Sequence, residues 1–224
     1  MQIISGAIGK EVIHYEGPPS DRVPEEMARF LRWFNEESLE LPGIARAAIA
    51  HLWFETIHPY EDGNGRVGRT IADKALSQSL AAPFLLSTGT VFSLTRKQYY
   101  ENLNKASKNT LDATPWVNWF GACAVKTQDL TMDIIKTVAE KARFYDRIDK
   151  TDLNDRQLKA LRLMIDAEPQ GFEGGMNATK YKNITRCSKS TATRDLSELV
   201  EKNMLKPVYS HGRYARYELN GFGS

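Results

Sequence analysis

Cysteine is scarce in this chain: Cys123 and Cys187 are the only two among 224 residues. Two distant thiols exclude a disulfide framework and a cysteine-built metal centre, and they fit a reducing compartment. No apolar run approaches the roughly 18 residues that cross a bilayer, so no membrane partner is expected. The opening Met1-Gln2-Ile3-Ile4-Ser5 has neither a basic leader region nor a small-residue cleavage site, and a cytoplasmic location follows as the expectation. A dominant charge is missing too. Lys+Arg number 30 against 28 Asp+Glu, a net +2, too little to argue for nucleic acid by itself. Internal repeats and low-complexity tracts are absent. The rest is ordinary globular composition, 42% hydrophobic and 26% charged, with length for one large or two small domains.

The small excess of charge is unevenly placed. Residues 151–224 carry 12 basic and 9 acidic residues, hence +3, which leaves 18 and 19 for residues 1–150, hence −1. The patterning also changes there. Residues 3–15 read as a hairpin, with β-prone Ile3-Ile4 and Val12–Tyr15 around Gly6 and Gly9. Helical patterns follow. One starts near Ser20–Glu25, where Pro24 and acids mark the first turn, and shows Met27, Phe30, Leu31 and Phe34 on one face. A second, Ile44–Ile57, is apolar nearly all round, so it reads as buried, with His51 a satisfied core histidine. A third runs from Val67 to Leu80. Further helices are expected at Arg96–Ser107, Thr114–Thr127 and Leu130–Ile148.

Between the second and third helices lies His58-Pro59-Tyr60-Glu61-Asp62-Gly63-Asn64-Gly65-Arg66-Val67-Gly68-Arg69. A histidine is the commonest general base near neutral pH. A glycine-rich turn feeding a helix is a ready anion site, because unpaired backbone N–H groups point outward there. Two arginines add fixed charge matched to phosphate oxygens. Together these residues read as a site for transferring part of a nucleotide.

The run resembles the signature of the Fic family, H-x-F-x-[DE]-G-N-G-R-x-x-R. Each fixed position matches except the aromatic one, where Tyr60 keeps a ring to pack into the core. The resemblance implies a mainly α fold: a Fic-type helical bundle over residues 1–148 with the 3–15 hairpin as its flap. It also implies a protein adenylyltransferase, which moves AMP from ATP onto a Ser, Thr or Tyr hydroxyl of a target protein, or of itself, and releases pyrophosphate. In that scheme His58 is the base and Asp62 holds Mg²⁺. Gly63, Asn64 and Gly65 let the backbone approach the phosphates, and Arg66 and Arg69 clamp them. The retained Gly-Asn-Gly-Arg favours AMP over the phosphoryl transfer of some relatives, while one branch transfers phosphocholine. The flap would bind the target protein by strand addition; a hairpin that merely caps the bundle is the plainer alternative. Tyr100 falls where relatives line the adenine pocket, although Ser107 replaces an asparagine common among them.

Many relatives also carry an inhibitory helix, [ST]-x-x-x-E-[GN], whose glutamate pairs with the second signature arginine, here Arg69. Nothing in the chain matches it; Ser197–Lys202 comes nearest and ends in lysine. The expectation is a chain without the N-terminal inhibitory domain, its Arg69 open to the γ-phosphate.

Residues 149–224 read as three helices, with Asn154, Asn177 and Ser188 as caps, and then two strands around a basic turn at Ser210–Arg213. That order is a winged helix-turn-helix. Lys189, Ser190, Thr191 and Arg194 on its third helix, with Arg213 on the wing, are candidate DNA-binding residues. Protein contacts or homodimer packing are the alternatives for this domain. For the whole chain, the other class is a DNA-binding transcriptional regulator that uses the Fic-like core as a nucleotide sensor. The intact His58 argues for the enzyme, since a sensor needs the phosphate nest but no base.

Overall fold

A computed structural model describes residues 2–5, 12–82, 84–108, 112–209 and 215–222. Strands β1 (Gln2–Ser5) and β2 (Val12–Glu16) pair antiparallel, with a register shift between Ile3 and Ile4. Thus the expected hairpin is present in its strands, while the turn at residues 6–11 lies outside the described residues. Helices α1 (Val23–Arg32), α2 (Gly43–Ile57), α3 (Asn64–Leu80), α4 (Thr88–Leu94), α5 (Arg96–Lys108) and α6 (Thr114–Asp149) follow. α7 (Asp155–Asp166), α8 (Ala178–Thr185) and α9 (Lys189–Glu201) then lead to the antiparallel pair β3 (Leu205–Tyr209) and β4 (Arg216–Leu219).

The chain divides into two compact units, Met1–Met132 and Asp133–Ser224, and the division falls within α6. Two helices are expected where α6 is one. Gln128-Asp129 offers neither proline nor glycine to stop it. The hydroxyls of Thr127 and Thr131 bond back to the carbonyls four residues earlier, at 2.9 and 2.8 Å, so both polar side chains are satisfied inside the continuous helix. Two short elements carried no advance signal: a π-helical turn at Trp33–Glu37 that extends α1, and α4, whose start Ser87 caps by accepting from the Gly89 N–H.

In the first unit the core is aromatic. Phe30, Phe54, Phe92, Tyr99, Trp116 and Phe120 are buried around α2, and Trp116 Nε1 donates to the Ala48 carbonyl at 2.7 Å. This packing fixes α2, and with it the start of the signature. His51 stands in this core among Phe92, Tyr99, Trp116 and Phe120. It is fully buried as expected but not satisfied. Its Nε2 lies 3.5 Å from the Tyr99 hydroxyl, and Nδ1 has no partner among the described residues. Burial pushes its pKa down to about 3, with Arg69 adding to the effect, so the ring stays neutral.

The second unit has its own core, with Phe144, Leu161, Met164, Tyr181, Leu196 and Leu199 among its buried residues. Asp195 ties its helices together. It accepts from Arg156 through both carboxylate oxygens, at 2.8 and 3.2 Å, and from the Tyr181 hydroxyl at 3.0 Å. Burial opposes ionisation of Asp195, but the bonds from Arg156 and Tyr181 outweigh it and hold the carboxyl below its usual range. A depressed carboxylate contributes stability above its unfolded pKa and loses it as pH falls through the folded value.

Candidate active site

The site is built where α2 ends and α3 begins. α2 stops at His58, whose backbone turns left-handed (φ 51°, ψ 57°) while its N–H still bonds the Phe54 carbonyl at 3.0 Å. A non-glycine residue in that region is strained, and such residues gather at functional sites. Here the turn puts an imidazole at the mouth of the following loop. His58 Nδ1 is buried with no hydrogen bond among the described residues. Burial lowers the ring's pKa, and the Glu55 backbone, short of hydrogen-bond geometry, pulls the other way. A neutral imidazole is the form a general base needs.

The loop is held by its own side chains. Asn64 is 2% exposed; its Oδ1 accepts from the Tyr60 N–H at 3.0 Å and its Nδ2 donates to the Tyr60 carbonyl at 2.6 Å. One amide thereby closes the five residues 60–64 into a ring. Tyr60 itself is 49% exposed, with its ring 6.2 Å from that of Phe54. It leans on the core and is not packed into it as the sequence suggests, since the closed loop keeps it at the surface.

Gly63 ends the loop at φ 89°, a conformation in which a side chain would be strained. No side chain caps α3, and its first intrahelical bond runs from the Val67 N–H to the Gly63 carbonyl at 3.0 Å. The N–H groups of Asn64, Gly65 and Arg66 therefore open a 17-residue helix without intrahelical acceptors, at its positive end. Asp62 sits beside this opening. Its Oδ1 accepts from the Gly63 N–H at 2.6 Å and its Oδ2 from Arg66 Nη2 at 3.0 Å. Both side chains are open to solvent, 91% and 74% exposed, so the pair is weak and easily rearranged.

Arg69 is placed differently from Arg66. Its guanidinium lies over Gly65 and its stem against Gly89, where an added methyl would come 3.0 Å from Cδ and 3.1 Å from Nε. The buried Tyr99 hydroxyl faces it; burial raises the Tyr99 pKa, Glu55 adds to this and Arg69 opposes it. Tyr100, one residue on, is half exposed on α5, its ring 5.0 Å from that of Tyr99. Thus His58, Asp62 and Gly63 lie in the loop and Asn64, Gly65, Arg66 and Arg69 on the first turns of α3, and the Tyr99 hydroxyl faces Arg69. Sequence reasoning passed over Glu55, a charged residue in an apolar helix, and that mismatch was the available signal.

In the second unit Lys189, Ser190 and Arg194 are exposed on the first turns of α9, and Thr191 is half-buried. Ser188 caps them by accepting from the Thr191 N–H at 3.1 Å. Arg213, the remaining candidate there, lies outside the described residues.

Residues 2–76 match the model of the Fic/DOC family. A Drosophila mojavensis protein named "Protein adenylyltransferase Fic" is 35% identical over 105 residues, covering 46% of this chain and 20% of that protein. "Protein adenylyltransferase fic-1" of Caenorhabditis briggsae is 36% identical over 98 residues, covering 43% and 18%. The chain thus spans about a fifth of the length of these curated relatives. Among solved structures, a Fic family protein from Desulfovibrio desulfuricans G20 aligns over 96% of this chain and 60% of its own, at 24% identity and a TM-score of 0.47.

Proposed function

Since the chain carries a Fic/DOC-family domain at residues 2–76, we propose that it is a protein adenylyltransferase. The observation that carries this reading is the juxtaposition of His58 with the uncapped start of α3. A base and an anion nest share one loop. The acceptor hydroxyl oxygen attacks the α-phosphorus of ATP and its proton passes to His58. The new O–P bond forms as the bond to pyrophosphate breaks. The ring nitrogen offered to that hydroxyl is Nε2, since Nδ1 is buried.

The N–H groups of residues 64–66 and the guanidinium of Arg66 meet the phosphate oxygens where charge develops. Asp62 fits Mg²⁺, which takes one or two carboxylates together with substrate phosphates; when bound, the ion would offset the phosphate charge. Asp62 would hold the ion, and the exposed Arg66, now paired with Asp62, would turn to phosphate. The target is a protein whose extended segment adds to an open edge of the β1–β2 hairpin and presents its hydroxyl to His58.

The test is mass spectrometry of the chain, alone and with candidate targets, after incubation with ATP and Mg²⁺. A gain of one AMP is expected. A phosphate or no gain, alone and with every target, overturns the reading.

A second reading concerns residues 149–224 as a winged helix on DNA. It is supported by the exposed Lys189, Ser190 and Arg194 at the capped start of α9. DNA affinity should then fall steeply with salt, and Lys189→Ala and Arg194→Ala should each reduce the log–log slope by about 1. Binding independent of salt, or an unchanged slope, removes this role.

A further inference from the structure

Glu55 stands outside the signature, three residues before His58 on the last turn of α2. It is 9% exposed, and its Oε1 has no hydrogen-bond partner among the described residues. A buried carboxyl oxygen left without a donor is costly to keep, and such a group calls for a reason. Its position is defined by two glycines of α3. A methyl on Gly68 would come 2.7 Å from Oε1. A methyl on Gly65 would come 3.7 Å from Oε1 and 3.1 Å from Arg69 Nη1. The carboxyl and the guanidinium therefore flank one glycine, at the helix end that forms the phosphate nest.

The charged and titratable groups acting on the Glu55 carboxyl are Arg69 from α3 and Tyr99 from α5; His51 stands one turn earlier on α2, and His58, at its C-cap, lies near the Glu55 backbone. His51 and Tyr99 stay uncharged near neutral pH, which leaves Arg69 as the counter-charge. Burial pushes the Glu55 carboxyl up to about 7, with Arg69 pulling it down. The site thus holds an acid that is divided between its two forms at neutral pH.

We propose that Glu55 is a positioning residue acting through Arg69, drawing the guanidinium to itself when ionised and yielding it to the nucleotide's phosphates when protonated. The proposal rests on the nucleotide-transfer reading above. It puts a counter-charge for Arg69 on the helix that leads into the signature. The sign follows from linkage. A polyphosphate beside a carboxylate favours the protonated carboxyl, so binding takes up a proton and affinity falls as pH rises through the carboxyl's midpoint.

The experiment measures ATP affinity from pH 6 to pH 8 for the wild-type chain and Glu55→Gln. The ratio of wild-type Kd to Glu55→Gln Kd should rise about fivefold across that range, as one pK unit of coupling gives around a midpoint near 7. A flat ratio, or weaker binding by Glu55→Gln at pH 8, overturns the proposal. A ligand-free arm follows the Glu55 carboxyl directly by ¹³C NMR. Its midpoint should lie near 7 in the wild type and rise by about one unit in Arg69→Gln. A wild-type midpoint at the ordinary carboxylate value, or one that Arg69→Gln leaves unmoved, overturns the coupling. A chain that binds no ATP at any pH overturns the transfer reading instead, and the NMR arm still decides whether Glu55 answers to Arg69.

Discussion

Replacing His58 by alanine is expected to stop AMP transfer while leaving ATP affinity nearly unchanged. A positioned base supplies about 10²–10⁴-fold in rate, or about 2.7–5.4 kcal/mol of barrier. The rate in His58→Ala should fall at least that far. Binding should survive because the nest is made by the N–H groups of α3 and by arginines, and the imidazole is no part of it. The loop should survive too. The cap bond from the backbone of residue 58 to the Phe54 carbonyl needs no side chain, and Asn64 closes the loop from its far end.

The pH profile gives a second readout. Burial lowers the His58 pKa below its ordinary 6.5. A base must be neutral to act, so the acid limb of the single-turnover rate should fall below pH 6.5. Wild-type transfer in His58→Ala would remove this histidine as the base. An acid limb well above 6.5 would show that its environment favours the charged form.

The sequence made the centre of this site legible because its constraints are local. Proline, glycine and aspartate announce a turn whatever surrounds them, and the left-handed Gly63 and uncapped α3 follow from that chemistry. Tertiary effects were hidden. The Glu55 carboxyl lies against Gly65 and Gly68 of α3, where a side chain on Gly68 would displace it, and neither glycine reveals this by its spacing. The continuity of α6 depended on the lack of a breaker at Gln128-Asp129, which periodicity alone does not report. The contact of the buried Tyr99 hydroxyl with Arg69 was hidden as well, because it joins α5 to α3. In the second unit the caps Asn154, Asn177 and Ser188 were readable, and each accepts the expected backbone N–H. The buried Asp195 tie was not, because its partners lie 39 and 14 residues away.

The variant Asn64→Asp should damage transfer more than Asn64→Ala, although aspartate matches asparagine in shape. Asn64 makes one bond as acceptor and one as donor, both to Tyr60. Alanine removes both. At about 1 kcal/mol each, the closed loop loses about 2 kcal/mol, which is about a 30-fold loss if only the closed loop reacts. Aspartate can still accept from the Tyr60 N–H, but its second oxygen then faces the Tyr60 carbonyl at the 2.6 Å position that a donor now fills. With the position 2% exposed, the carboxylate must take up a proton, break the loop, or stand unpaired at several kcal/mol. It also brings a negative charge to the first residue of the helix that would receive ATP. A loss of about 100-fold or more is expected, well beyond the alanine variant. Lowering the pH should narrow the gap, since a protonated aspartate can donate to the Tyr60 carbonyl. Measured kcat/KM for both variants at two pH values decides the matter. Equal losses would mean that Asn64 serves only as a polar filler, and a near-normal Asn64→Asp would show that the loop is held closed by something else.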